Sequence, residues 1–373
     1  MQVDVVTRHA IRNYGSVLQT IATNQLVQAT GARARFVDYR QPGYDDTGWS
    51  VANRGSARGY PWLGRAAYAL LRDRGVRRIG QVFEQALREN VTLTQDVYRS
   101  SAQLGASNEF AGDTLYCAGS DQIWNVEYNV DNGPYYLDFA PTGARKFSLS
   151  SSIGTPSLPA AEQQRLVSAL QSYVGVSVRE ADAAAYLREL NIQAEHHVDP
   201  TLAVDPSYWH RFTESVQGSG TDYVLVYQLN ESRTFNPIVD AVAKETACPV
   251  LRVEYWRGPR TLRYPTVVLP SMEEFVGLFR DAAFIVTDSF HGAIFATTFS
   301  KPYVAVPPPR YGGRLESLLN LASQSHRVVQ NVGAAIEVVR DTTQLPSART
   351  LFANERAKVS SYLQRVTSST TER

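Results

Sequence analysis

Short apolar runs alternate with longer segments of helical periodicity along the chain. The runs predict strands because they are short and rich in β-branched and aromatic side chains. They lie at Val3–Val6, Ala34–Tyr39, Thr114–Ala118, Lys146–Ser150, Val174–Val178, Tyr223–Gln228, Val250–Tyr255, Phe284–Thr287 and Tyr303–Val306. Helices are predicted at Tyr14–Thr30, Gly80–Glu89, Pro159–Tyr173, Glu180–Leu190, Asn236–Thr246, Ser271–Ala282, Gly292–Phe299, Arg314–Ser323 and Ala348–Val366, whereas residues 41–78 are predicted to be irregular.

Two successive series of strands and helices predict an α/β protein with two Rossmann-like domains facing a cleft. A segment rich in glycine and serine, Ser215–Thr221, is typical of a linker and separates the two series. We therefore expect domains at residues 1–214 and 222–346. Residues 347–373 are expected to form a terminal helix that packs back on the first domain.

The composition is that of an ordinary soluble globular protein, with 43% apolar and 20% charged residues among 373. A net charge of +1 indicates no general attraction to nucleic acid. Two cysteines, Cys117 and Cys248, lie far apart and suggest neither a disulfide framework nor a zinc site. The sequence shows no signal peptide and no apolar run long enough to cross a membrane, so a cytoplasmic location is expected.

The segment Thr287-Asp-Ser-Phe-His-Gly292 follows a predicted buried strand and opens a predicted helix. In open α/β sheets ligands bind at this kind of junction. A helix N-terminus offers free N–H groups and a positive dipole end to an anion. His291 at this junction can exchange a proton near neutral pH. The segment therefore predicts acid catalysis on a phosphorylated ligand, although a histidine that merely helps to cap the helix is the alternative.

Four motifs, read together in order and spacing, resemble those of the polysaccharide pyruvyl transferase family. They are Asn13-Tyr-Gly-Ser-Val-Leu-Gln19, Gly119-Ser-Asp-Gln-Ile-Trp-Asn125, Ser177-Val-Arg-Glu180 and Thr287-Asp-Ser-Phe-His-Gly292, the last continued by Phe299-Ser-Lys-Pro-Tyr303. The resemblance implies a GT-B-like fold. It also implies transfer of the enolpyruvyl group of phosphoenolpyruvate onto two sugar hydroxyls, which forms a cyclic ketal and releases phosphate in the synthesis of cell-surface polysaccharide or exopolysaccharide.

The resemblance implies that His291 is the general acid and that Arg179 is a ligand for the donor. Arg314, which opens a predicted helix after a Gly-Gly pair, is expected to contact the phosphate and is counted with them as catalytic. Arginine grips carboxylate and phosphate groups through a planar fork. Arg179 follows a predicted strand, and an ion pair with Glu180 or another carboxylate is an equally good interpretation of it. Residues expected to bind the donor are Arg310, Ser289, Gly292 and Lys301, although for Lys301 a solvated turn is the stronger interpretation.

The acceptor is expected on the two N-terminal motifs, at Asn13, Tyr14, Gly15, Ser16, Ser120, Asp121, Gln122 and Trp124. Asp121 would accept a proton from a sugar hydroxyl or simply bind that hydroxyl. Trp124 would stack on a sugar ring. The alternatives are helix capping by the first motif and a turn packed by Trp124 in the second.

Residues 51–79 carry seven arginines and one acidic residue. A solvated basic surface is one interpretation. Contact with an anionic membrane at its inner face, or with the diphosphate of a lipid-linked oligosaccharide acceptor, is the other.

No metal-ligand cluster, Walker loop or dinucleotide fingerprint stands in the sequence, so no cofactor and no metal are expected. Phosphoenolpyruvate, which the resemblance implies, is expected as the donor substrate. Two other functions stay open. One is a glycosyltransferase that uses a nucleotide sugar on the same frame, and the other is a carbohydrate-binding relative without turnover.

Overall fold

The computed structural model describes residues 1–41, 62–110, 114–127, 129–218, 220–307, 313–341 and 346–368, with the backbone alone at 62–74, 259 and 313–314. The chain forms two compact units. The N-terminal unit comprises Met1–Val204 and Glu355–Arg373, and the C-terminal unit comprises Asp205–Asn354. Within the described residues, no helix is long and apolar enough to cross a membrane.

The N-terminal unit is built on a parallel sheet of six strands in the order β2-β1-β3-β4-β5-β6. Its strands are β1 (Gln2–Val6), β2 (Arg33–Phe36), β3 (Thr114–Ala118), β4 (Lys146–Ser148), β5 (Tyr173–Val178) and β6 (Ala194–His196). Its helices are α1 (Tyr14–Gln28), α2 (Trp62–Asn90), α3 (Ser101–Gly105), α4 (Ala160–Leu170), α5 (Ala181–Glu189) and α6 (Pro200–Ala203). Nearly every residue of β1 and β3 is buried, as a strand covered on both faces requires.

The C-terminal unit contains a parallel sheet of five strands in the order β11-β10-β7-β8-β9. Its strands are β7 (Val224–Tyr227), β8 (Val250–Glu254), β9 (Thr266–Val268), β10 (Phe284–Thr287) and β11 (Tyr303–Ala305). Its helices are α7 (Pro206–Phe212), α8 (Phe235–Thr246), α9 (Met272–Asp281), α10 (Phe290–Thr298), α11 (Gly313–Leu321), α12 (Val332–Arg340) and α13 (Ala348–Leu351). The expected α/β class with parallel sheets is confirmed.

Each sheet has a point at which the strand order reverses. The chain passes from β1 to β2 on one side of β1 and to β3 on the other, and it passes from β7 to β8 and to β10 in the same manner. Loops that leave neighbouring strands in opposite directions open a crevice at the carboxyl ends of these strands. One crevice lies between β1 and β3, and the other lies between β7 and β10. The motif Gly119–Asn125 follows β3, and the motif Thr287–Gly292 begins at the last residue of β10.

The terminal helix α14 (Ala353–Thr367) packs on the sheet of the N-terminal unit. The Tyr362 hydroxyl donates to the Ser148 carbonyl over 2.6 Å, and Arg145 Nη2 donates to the Val366 carbonyl over 3.0 Å. A Cβ on Gly175 of β5 would stand 2.8 Å from the Val366 Cγ1 atom. Glycine at position 175 therefore allows the helix to lie directly on the strand.

The boundary between the two units lies between Val204 and Asp205, before α7. From the sequence, the first domain is expected to end at residue 214, after this helix. Trp209 of α7 is fully buried and packs edge-on against Phe295 of α10, with ring centroids 5.1 Å apart. Arg280 donates to the Thr213 carbonyl over 2.6 Å. These contacts join α7 to the C-terminal unit.

The prediction of an irregular segment at residues 41–78 is wrong from Trp62 onward, because α2 extends from Trp62 to Asn90. Alanine, leucine and arginine dominate its first half, and their helix propensity outweighs the cost of Gly64 and Gly75. Residues 42–61 lie outside the described part of the chain.

The buried His197 makes stability depend on pH. Burial lowers its pKa to about 4, and the positive charges of Arg365 and Lys358 act in the same direction. Its Nδ1 lies 2.8 Å from the Ser177 hydroxyl, and its ring packs against Tyr362 at 4.8 Å. Between pH 6.5 and pH 4 the unfolded chain binds a proton that the folded chain does not, so stability falls as the pH falls.

When the pH is lowered from 7 to 5, we expect the unfolding free energy of the wild type to fall by about 2 kcal/mol more than that of His197→Asn. Urea denaturation at the two pH values measures this difference. The exposed His326, changed to Asn, serves as the control and should follow the wild type. Identical pH dependence in His197→Asn and the wild type would contradict the assignment.

Candidate active site

The junction of β10 and α10 is fixed by a short chain of hydrogen bonds. The Thr287 hydroxyl donates to the Tyr227 carbonyl over 2.7 Å and accepts from the Ser289 N–H over 3.0 Å. Ser289 caps α10, and its hydroxyl accepts from the Gly292 N–H over 3.3 Å. His291 is the second residue of the helix and is partly exposed. The structure thus places His291 at the strand-to-helix junction that the sequence indicated, beside the β7/β10 crevice.

Gly292 lies against the end of β10. A Cβ at this position would stand 2.3 Å from the Thr287 Oγ1 atom and 3.1 Å from its Cβ atom. Only glycine allows α10 to start this close to the strand. The predicted role of Gly292 as a donor ligand stays a prediction, whereas its packing role follows from this distance.

Asp288 ties the two loops of the crevice together. Its carboxylate accepts from the Leu229 N–H and the Asn230 N–H, each over 2.7 Å, and from Asn230 Nδ2 over 3.1 Å. Burial raises the pKa of Asp288, although these donated hydrogen bonds act in the opposite direction. Asp288 was not among the predicted site residues, although an acidic residue directly after a buried strand was an available signal.

The assignment of Lys301 to the donor site is wrong. Lys301 precedes β11, at the edge of the sheet where its parallel strands begin, and α10 runs between it and His291. Burial lowers the pKa of Lys301, while the negative charges of Asp281 and Asp222 raise it. Lys301 therefore belongs to the edge opposite to that of His291.

The two arginines predicted after β11 are placed only in part. Arg314 is the second residue of helix α11. Arg310 lies outside the described residues. Their roles stay predictions.

In the N-terminal unit, the structure brings together two motifs that are far apart in sequence. The Ser16 hydroxyl at the start of α1 donates to Asp121 Oδ2 over 2.7 Å, and the Gln122 N–H donates to Asp121 Oδ1 over 2.7 Å. Asp121 has a φ of 76°, a left-handed conformation that is uncommon for residues other than glycine. Strain of this kind is concentrated at functional sites.

The positive charges of two arginines act on the Asp121 carboxylate. Burial raises the pKa of Asp121, but the positive charges of Arg8 and Arg179 and the two hydrogen bonds outweigh burial, so that its pKa lies below the ordinary value. Arg8 is the second residue after β1 and donates to the Gln122 carbonyl over 3.4 Å. Arg8 was not among the predicted site residues, although its position two residues after a buried strand was an available signal.

Arg179 stands at the carboxyl end of β5, as predicted, and is buried with 6% of its surface exposed. Its Nη1 donates to Asp199 Oδ2 over 2.7 Å, and its Nε lies 3.6 Å from Glu180 Oε1. The ion pair considered as the alternative interpretation is therefore present. Asp199 is itself fixed, because its other oxygen accepts from the Thr201 N–H over 2.9 Å.

The predictions for Trp124 and Tyr14 are wrong. Trp124 is 0% exposed, and its indole N–H donates to the Tyr135 carbonyl over 3.1 Å. Tyr14 is also 0% exposed and packs against Phe83 at 5.0 Å. Both rings belong to the interior of the unit, so Trp124 cannot stack on a sugar and the Tyr14 ring is not open to an acceptor.

The remaining residues of these motifs support the local backbone. Asn13 caps α1, since its side chain accepts from the Gly15 N–H over 2.8 Å. Ser120 is 0% exposed, and its carbonyl accepts from the Thr7 hydroxyl over 2.6 Å. The Gln122 side chain accepts from Asn125 over 2.8 Å. Ser16 and Asp121 are thus the members of the predicted acceptor set that join the two motifs directly.

The family model of the polysaccharide pyruvyl transferases matches residues 13–308. This match covers most of the chain and all four motifs, so the chain belongs to the polysaccharide pyruvyl transferase family. A comparison with curated protein sequences finds no significant match.

Solved structures of sugar-nucleotide enzymes have a similar fold. The UDP-GlcNAc 2-epimerase of Neisseria meningitidis bound to UDP-GlcNAc has a TM-score of 0.55 and 10% identity, with 98% of this chain and 99% of that chain covered. The S. aureus MnaA–UDP co-structure has a TM-score of 0.52 and 9% identity, with 96% and 94% covered. At these identities the likeness concerns the fold alone, and it confirms the expected GT-B-like class.

We expect Gly292→Ala to lower the unfolding free energy by about 1–3 kcal/mol, the usual range for overpacking a close contact. The added methyl group would displace Thr287 and the start of α10. Gly105→Ala is the matched control, because a Cβ there meets no atom within 4 Å. Thermal denaturation of both variants gives the comparison. Equal melting temperatures for Gly292→Ala and the wild type would contradict the close packing.

Proposed function

We propose that this member of the family transfers the enolpyruvyl group of phosphoenolpyruvate to a sugar acceptor, with His291 as the general acid. The observation that carries the proposal is the position of His291 in the first turn of α10, beside the β7/β10 crevice. There the free N–H groups and the positive end of the helix favour a phosphate or carboxylate group. Family membership supports the same chemistry.

The proposed reaction needs one proton and two hydroxyls. His291 donates its proton to the methylene carbon of phosphoenolpyruvate, which becomes a methyl group, while one sugar hydroxyl attacks the neighbouring carbon. The second hydroxyl then displaces inorganic phosphate and closes the ketal ring. The two hydroxyl protons balance the reaction, because one restores His291 and the other leaves with phosphate.

Donor binding is assigned to the C-terminal unit, at Ser289, His291 and Gly292, with Arg310 and Arg314 following β11. Asp288 holds the β7 loop against this junction through its three hydrogen bonds, which gives the anion site a fixed wall. Arg179 of the N-terminal unit is retained as a positioning residue. Its ion pair with Asp199 fixes the guanidinium whose charge lowers the pKa of Asp121.

Acceptor binding is assigned to Ser16 and Asp121 of the N-terminal unit. The lowered pKa keeps Asp121 ionised at neutral pH, so its carboxylate is a weak base and a strong hydrogen-bond acceptor. We therefore assign Asp121 to binding a sugar hydroxyl rather than to removing its proton.

We expect His291→Ala to lose turnover by about 100-fold or more, the scale of a positioned general acid. Release of inorganic phosphate from phosphoenolpyruvate in the presence of a glycoside panel measures it. The exposed His210 on α7 is the matched control, and His210→Ala should keep wild-type turnover. Wild-type turnover in His291→Ala would rule out the assignment. Release of UDP from a nucleotide sugar, with no phosphate from phosphoenolpyruvate, would favour a glycosyltransferase instead.

We expect Ser16→Ala to raise the acceptor KM several-fold and to leave the phosphoenolpyruvate KM nearly unchanged, since Ser16 orients the Asp121 carboxylate. Steady-state kinetics with each substrate varied in turn separates the two constants. Ser172→Ala, at an exposed position of the same unit, is the control. A change in the phosphoenolpyruvate KM alone would contradict the assignment of the acceptor.

A further inference from the structure

A concave surface other than the Ser16–Asp121 site lies on the N-terminal unit, along the C-terminal half of α2. Its volume is about 710 Å³, which is within the range of pockets that hold small ligands. The segments that follow β1 and β2 supply the opposite wall. We refer to it as the α2 cavity.

The α2 cavity is strongly cationic. Five arginines line it: Arg12, Arg40, Arg77, Arg88 and Arg99. Two carboxylates line it as well, Glu84 and Glu89. Glu84 accepts from Arg40 over 2.9 Å and from Arg88 over 3.4 Å, and Glu89 accepts from Gln85 over 2.8 Å. Guanidinium groups therefore outnumber the carboxylates of the cavity.

The cavity has a preformed wall at Arg12. The Arg12 Nη1 atom donates to the Val76 carbonyl over 3.3 Å. A Cβ on Gly80 would stand 2.9 Å from Arg12 Nη2. Glycine inside a helix costs about 1 kcal/mol relative to alanine, and at position 80 it lets the guanidinium lie directly on α2.

Arg40, on the wall opposite α2, is fixed by hydrogen bonds to Asp38. Its Nε and Nη2 donate to the two oxygens of Asp38 over 2.6 and 2.8 Å. His9 Nε2 lies 3.1 Å from the same carboxylate. Burial raises the pKa of Asp38, but the hydrogen bonds from His9 and Arg40 outweigh it and lower the pKa to about 2. The Arg40 guanidinium is thus held in place before any ligand binds, with its Nε–Nη2 edge already bound to Asp38. A group that is fixed in advance loses less entropy on binding.

One short segment connects this cavity with the Ser16–Asp121 site. His9 and Arg12 line the cavity, whereas Arg8 contacts the Gln122 carbonyl and Ser16 contacts Asp121. The segment from Arg8 to Ser16 therefore contributes side chains both to the cavity and to the Ser16–Asp121 site of the same unit.

We propose that the α2 cavity binds a phosphate or diphosphate group carried by the acceptor. Arginine forks match phosphate oxygens in geometry and charge. The assignment to the acceptor rests on the proposed function, whereas the affinity of the cavity for phosphate does not.

The test uses inorganic pyrophosphate as the probe and calorimetric titration as the measurement. Arg77 and Arg99 are exposed, so a double variant, Arg77→Gln with Arg99→Gln, should fold normally. We expect its pyrophosphate affinity to fall at least 10-fold. Arg33→Gln, at the exposed first residue of β2 and at the opposite end of the strand from Arg40, is the control and should bind as the wild type. Equal affinity in the double variant and the wild type, or no binding by the wild type, would overturn the proposal.

Vesicles distinguish the two sources of the phosphate. Co-sedimentation with phosphatidylglycerol vesicles that is lost in the double variant assigns the cavity to a membrane-borne phosphate. Pyrophosphate binding without sedimentation assigns it to a soluble phosphorylated glycan. Both results support a phosphate site. If pyrophosphate binds but phosphoenolpyruvate yields no phosphate with any glycoside, the proposed function fails and the anion site stands.

Discussion

The reversal of strand order in each parallel sheet is the constraint on which the rest of the structure depends. Parallel strands bring all their carboxyl ends to one edge, and the reversal separates two of the loops at that edge. In the C-terminal unit this sets Asp288 and His291 beside the β7 loop, and the close contact of Gly292 with Thr287 fixes the start of α10. In the N-terminal unit the same geometry sets Arg8 beside the Gly119–Asn125 motif.

Buried charge gives the N-terminal edge its rigidity. Asp121 is held by Ser16 and the Gln122 amide while facing Arg8 and Arg179, and Arg179 is paired with Asp199. Removing one member of such a network leaves an uncompensated charge, which is costly in a protein interior. The network therefore fixes the strained backbone of Asp121 and presents a carboxylate that stays ionised. A carboxylate of this kind is suited to binding a hydroxyl.

The sequence predicted those features that depend on local pattern. Short apolar runs located the strands, and their alternation with helices implied parallel sheets. The motif residues that follow strands, Arg179 and His291, were found at the expected edges. Features that depend on tertiary packing were not predictable. The local sequence does not distinguish a tryptophan that stacks on a sugar from a buried one. Trp124 is buried, and its indole N–H donates to the Tyr135 carbonyl. Lys301 lies close to His291 in sequence, but α10 carries the chain to the opposite edge of the sheet.

The central claim is that the chain protonates the methylene carbon of phosphoenolpyruvate and joins the resulting group to a sugar. The most direct measurement is a reaction in D₂O with phosphoenolpyruvate and a panel of free and lipid-linked glycosides, followed by mass spectrometry of the products. The account predicts a pyruvate ketal whose methyl group carries one solvent deuterium, formed together with inorganic phosphate. A glycoside that gains a sugar from a nucleotide donor, while phosphoenolpyruvate is left intact, would contradict it.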